Sequence, residues 1–128
     1  MKNLIRLFSI PVIGILLNAC ANDRNEPIIP QVKQNVSFKL DIQPILTQYC
    51  AGCHNGGSMN IHPDLREGKA YKSLMSIEGS IIPGDANGSE LMGMLQGGGD
   101  NPMPPNATMI PLNIALIQQW INEGALNN

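Results

Sequence analysis

The chain has little aromatic material, little charge and no excess of basic residues. Among its 128 residues aromatics make up 4% and charged residues 14%, with a formal net charge of −2. Without a basic surplus there is nothing to neutralise a run of phosphates, so a nucleic-acid partner is not expected. No segment alternates apolar and polar residues over any length, so strands should be few. Large flat side chains are scarce as well. With Phe8 in an N-terminal leader, a folded domain would have only Phe38, Tyr49, Tyr71 and Trp120. A domain of roughly 90 residues buries little surface and usually leans on a disulfide, a metal or a bound group.

The apolar run Leu7 to Leu17 follows the positive residues Lys2 and Arg6. It is far short of the roughly 20 residues that span a bilayer, and its length suits a signal sequence. It ends in Leu16-Leu17-Asn18-Ala19-Cys20, which resembles a bacterial lipobox, with Cys20 as the lipidated first residue of the mature chain. An ordinary secretory signal with a coincidental cysteine is the alternative. Residues 1–19 are therefore expected to be a lipoprotein signal peptide that is removed, leaving a chain anchored through Cys20 and not spanning the membrane. Ala21, where an Asp would retain such a protein at the inner membrane, favours the outer membrane of the cell envelope, on its periplasmic side. Loss of Lys2 and Arg6 takes the formal charge to about −4. Residues 20–36 carry two prolines, Pro27 and Pro30, and no apolar periodicity, and read as a flexible tether. The domain is expected over 37–128.

With Cys20 assigned to lipid, two cysteines remain, in Cys50-Ala51-Gly52-Cys53-His54. C-x-x-C-H is the attachment signature of haem c. Thiols three residues apart share a helix face and can meet the two vinyl groups of one haem edge. His54 is then the proximal iron ligand. A redox dithiol belongs at a helix start after a strand, and no such pattern precedes this motif. A zinc site would need four ligands, from Cys50, Cys53, His54 and His62, with two of them adjacent in sequence. A structural disulfide between Cys50 and Cys53 is the remaining rival.

The sixth iron position decides the function. Met75, Met92 and Met94 lie among leucines at helical spacing and read as core filler. Met103 lies in Gly97-Gly98-Gly99-Asp100-Asn101-Pro102-Met103-Pro104-Pro105, where prolines stiffen an extended backbone and present one thioether. Met103 is the expected ligand, with Met109 and then His62 as alternatives.

From Phe38 to Ala125 the sequence resembles a small c-type cytochrome domain. The likeness rests on Ile42-Gln43-Pro44-Ile45-Leu46, Cys50 to His54, Ala70-Tyr71-Lys72-Ser73-Leu74, Ile82-Pro83-Gly84-Asp85, Met103-Pro104-Pro105 and Trp120-Ile121-Asn122-Glu123-Gly124-Ala125. The resemblance implies an all-α fold of about four short helices around one covalent haem c. It also implies an iron held by His54 and Met103, and electron transfer between redox protein partners rather than enzymatic catalysis. With both axial positions taken, the chemistry reduces to gain and loss of one electron, and the acidic balance suits a partner with a basic patch. The alternatives are an open-site gas sensor, a peroxidase-like enzyme, or the haem-bearing subunit of a larger redox complex.

At residue level, Asp41 is the expected cap of a first helix with Ile42, Ile45, Leu46 and Tyr49 inward. A second helix is expected over about 64–75. A third runs from a Ser89 cap to Leu95, and a last one from an Asn113 cap, with Leu116, Ile117, Trp120 and Ile121 buried and Gly124 at its end. Trp120 is expected in the core, close to the haem edge.

Overall fold

The computed structural model describes residues 31–57, 61–98, 101–105 and 107–128. The leader, Cys20 and most of the expected tether lie outside the described residues, as do Met59, Gly99 and Asp100. Those described form helices and connecting turns, with no strand among them.

The first helical segment begins as a π-helical turn, Phe38–Ile42, and continues as α1, Gln43–Tyr49. Asp41 does not cap it. Ser37 does: its Oγ accepts from the Leu40 amide at 3.2 Å, while its own N–H donates to Asp41 Oδ2 at 2.7 Å. This is the reciprocal logic of a capping box, with the acidic residue one place later because the first turn is wider. Ile42, Ile45 and Leu46 are buried as their spacing predicts. Val36 is buried and Val32 packs against the core, so packing starts ahead of Ser37.

Helix α2, Ala70–Met75, is half the length expected. Gly68 sits at φ +76°, a left-handed conformation that no right-handed helix contains, so the helix starts only after it, while the amides of Asp64 and Leu65 donate to Ser73 Oγ and to the His54 carbonyl, at 2.8 Å each. Leu65 and Leu74 still face inward.

Helix α3, Glu90–Leu95, follows Ser89 as expected, yet the Ser89 hydroxyl does not cap it. That hydroxyl donates to the Asp85 carbonyl and accepts from the Ile82 amide, both at 2.8 Å, tying down the turn Ile82-Pro83-Gly84-Asp85. Gly84 sits there at φ +85°, the left-handed position a type II turn demands after proline. Its N–H donates to the Ile121 carbonyl at 2.8 Å, docking the turn onto the last helix.

Helix α4, Pro111–Asn122, starts two residues before the expected Asn113 cap. Pro111 is at the first helical position, where its missing N–H has no partner to lose and its fixed φ favours the turn. Ile117, Trp120 and Ile121 form the buried stripe. The helix ends in a Schellman motif: Ala125 N–H bonds the Trp120 carbonyl and Gly124 N–H the Ile121 carbonyl, at 2.9 Å each, with Gly124 at φ +99°.

Phe38, Tyr71 and Trp120 form one aromatic cluster with ring centroids 5.2–6.4 Å apart. Trp120 is 1% exposed, and its indole N–H donates to the Leu126 carbonyl at 2.9 Å. Expected close to a haem edge, Trp120 does not itself line the cavity described below; the π-helical turn and the C-terminal tail pack on it, while Ile117, one turn earlier on α4, faces that cavity. No helix among the described residues is long and apolar enough to cross a membrane.

Candidate haem site

Helix α1 ends at Tyr49, so the cysteine motif follows the helix and does not sit within it. The backbone keeps a helical turn there: Cys53 and His54 amides both bond the Cys50 carbonyl, at 3.1 and 2.9 Å. Cys50 is half-buried and Cys53 exposed, both as free thiols. Burial pushes the Cys50 thiol up from 9.0 to about 11. A redox-active dithiol needs the opposite, a thiol pKa lowered at a helix N-terminus. This motif instead follows the C-terminal end of α1, where the helix dipole disfavours a thiolate. The described residues also contain no group of three or more His, Cys, Asp or Glu side chains that could hold a metal ion, which speaks against the zinc arrangement.

His54 is half-buried, and its Nδ1 lies 3.1 Å from the Pro63 carbonyl oxygen. A carbonyl can only accept, so Nδ1 carries the proton and Nε2 keeps its lone pair. The ring is thereby fixed in the tautomer a metal ligand requires. The Pro63 carbonyl is positioned by its neighbours. Leu65 N–H reaches back to the His54 carbonyl, and buried Gln43, on α1, donates through Nε2 to the Leu65 carbonyl at 3.2 Å. Beside them Arg66 pairs with Asp64 at 2.6 Å and holds its carboxyl down to about 2.

A cavity of about 410 Å³ runs past these groups. Cys50, Cys53 and His54 line it, together with apolar walls from α1 (Leu46, Tyr49), α2 (Leu74), α3 (Leu91, Leu95) and α4 (Ile117). Met103, Pro104 and Pro105 close another part of its lining. The four residues singled out as Cys50, Cys53, His54 and Met103 are thus brought to one cavity, while Cys20 is outside the described residues. His62 and Met109 line it too. Met109 is 2% exposed and belongs to the core cluster, whereas Met103 is half-buried. Met92 is core, and Met94, expected as filler, lines the cavity instead. The Met94 carbonyl also accepts from the Met103 amide at 3.0 Å, anchoring the proline loop to the end of α3.

Sequence reasoning missed Pro63, Gln43 and the Met94 carbonyl. Two of these act through backbone oxygen, which every residue carries, so no residue-type signal could reveal them. Buried Gln43 is a glutamine in an otherwise apolar stripe, and that much is visible in the sequence.

The donor set fits haem c. Two thiols three residues apart, an imidazole with a free Nε2 and a thioether border one largely apolar cavity, within the size range of cofactor sites. Cys50 and Cys53 would hold the group through thioether links, and His54 and Met103 would supply nitrogen and sulfur to its iron.

No family model and no curated protein matches the chain. A solved structure, the hydrazine synthase of Kuenenia stuttgartiensis, is similar to it at 26% identity and a TM-score of 0.55. The match covers 70% of this chain but only 16% of that one, so the likeness is to a small part of a much longer protein.

Proposed function

We propose that this chain is a mono-haem c-type cytochrome that transfers electrons at the cell envelope. The observation that carries the reading is the His54 ring. Its Nδ1–H is taken up by the Pro63 carbonyl at 3.1 Å, which leaves Nε2 as a ligand atom in a side chain that borders the same cavity as both motif thiols. Haem c supplies a one-electron couple when bound. The chain's own part is to hold the ring in one tautomer, to present Met103 from a loop pinned to α3, and to keep water away with leucine and isoleucine walls. A thioether ligand and an apolar shell both favour the reduced state. The mature chain would be tethered by lipid on Cys20, with residues 1–19 removed and the segment up to about Val36 as spacer. It would meet redox proteins through small, transient contacts.

Replacing Met103 by Ala tests the axial assignment. The variant should lose the far-red sulfur-to-iron absorption and bind carbon monoxide when reduced, while the parent binds none. Carbon monoxide binding by the parent would favour an open-site sensor or a peroxidase-like enzyme. A second reading, a haem-bearing subunit of a larger redox enzyme, draws support from the match to part of hydrazine synthase. Native mass after mild detergent extraction separates the two: a carrier migrates alone, a subunit with its assembly.

A further inference from the structure

The peptide group between Pro63 and Asp64 is bonded at both of its polar ends. Its oxygen accepts from His54 Nδ1 at 3.1 Å, and its N–H donates to Ser73 Oγ, on α2, at 2.8 Å. Hydrogen bonds in series polarise one another, so an amide whose N–H is engaged offers a more negative oxygen. We propose that Ser73 is a positioning residue for His54. Its hydroxyl fixes the Pro63–Asp64 peptide plane and strengthens that carbonyl's pull on the Nδ1 proton. The imidazole becomes a more electron-donating ligand, which stabilises ferric iron and lowers the midpoint potential. This inference rests on the haem reading above.

The neighbouring peptides are held independently of Ser73. Leu65 N–H bonds the His54 carbonyl at 2.8 Å, and Gln43 Nε2 bonds the Leu65 carbonyl at 3.2 Å. The loop therefore keeps two anchors when Ser73 is changed. What Ser73 alone provides is the bond to the very peptide that accepts from the histidine.

The test compares haem-loaded Ser73→Ala and Ser73→Thr with the parent. Two properties are read: the midpoint potential, and the exchange rate of the His54 Nδ1 proton by NMR. Threonine keeps the acceptor oxygen and alanine removes it. For Ser73→Ala the reduction equilibrium should shift about threefold to tenfold toward the ferrous form, a tenfold shift being about 59 mV for one electron. Its Nδ1 proton should also exchange faster, while Ser73→Thr stays at parental values on both counts. An unchanged potential in haem-loaded Ser73→Ala overturns the proposal. Equal shifts in both variants overturn it too, since they would mark altered packing rather than a lost acceptor. Should Ser73→Ala fail to mature, the Asp64 amide of the parent decides: slow exchange supports the relay, and exchange at the rate of an unprotected amide overturns it. A parent chain that binds no haem fails at the earlier step and removes the haem reading along with this one.

Discussion

Where residues 35–39 meet the C-terminal tail, Phe38, Tyr71 and Trp120 pack ring against ring and their polar atoms all find protein partners. The Tyr71 hydroxyl donates to the Ala125 carbonyl at 3.0 Å and the Phe38 amide to Asn128 Oδ1 at 2.8 Å. The Glu123 carboxylate takes the Asn35 and Val36 amides at 2.9 and 2.8 Å. Around His54 the same short chain instead surrounds about 410 Å³ mainly with leucine, isoleucine, methionine and proline side chains, with Tyr49, Ser80 and Glu90 also in the wall. Close-packed interiors tolerate few voids larger than a water molecule. The first region leaves a smaller space of about 260 Å³ at its polar rim, edged by Gln34, Asn35, Glu123 and Asn128, whereas the second leaves a larger one with mainly apolar walls, as a bulky apolar group would need. Three of the domain's four aromatics gather at one end, and only Tyr49 lines the cavity at the other.

The largest effect that would break this contrast is removal of both attachment points. Cys50→Ala with Cys53→Ala should abolish haem staining of the denatured band. Hydrogen exchange should then rise in the cavity walls of α3 and around Met109, and stay slow around Trp120 and Ala125. Uniform loss of protection would mean that the two ends are not independent. Next in size, Trp120→Ala should destabilise the fold by about 3–5 kcal/mol, as deletion of a buried tryptophan does. Denaturant titration reads this, and the haem content of the protein that folds should not fall. Smaller again, Gln43→Leu leaves the buried Leu65 carbonyl without its donor. A loss of about 1–3 kcal/mol is expected, with faster exchange at Leu65 and its neighbours.

The smallest effect is one of pH. The bond from Gln119, with those from the Val36 and Asn35 amides, holds the Glu123 carboxyl below its ordinary 4.5. A carboxyl lowered in the folded state stabilises the fold above its unfolded value, and that stability is lost as pH falls through the folded one. The terminal region should thus loosen in acid below about pH 4.5. Glu123→Gln should flatten stability against pH in that window, and an unaltered profile would remove Glu123 from the account.

What could be read in the sequence is local. The stripes Ile42-Ile45-Leu46 and Ile117-Trp120-Ile121, the Pro83-Gly84 turn and the Gly124 cap all follow from spacing and backbone preference, and the structure has them. Cys50, Cys53, His54 and Met103 were legible as residue types in a pattern, and they border one cavity. What could not be read depends on backbone conformation and backbone contacts that no residue type marks. The start of the first helix moved to Ser37 because a wider first turn puts Asp41 within reach of the Ser37 amide. The second helix shortened because Gly68 takes a left-handed conformation, at φ +76°, just ahead of it. The histidine's acceptor is a backbone oxygen nine residues on, and the anchor of the Met103 loop is another, on α3. Trp120 was read correctly as core; that Ile117 and not Trp120 lines the cavity depends on how α4 is turned, which spacing alone does not fix.

The central claim is that His54 and the two thiols serve one covalently held haem. Intact mass together with the pyridine haemochrome spectrum of the envelope-matured protein measures this most directly. The account predicts a single haem per chain that survives denaturation and shows the band position of saturated thioether links. A colourless polypeptide with the mass of its amino acids and lipid alone would contradict it.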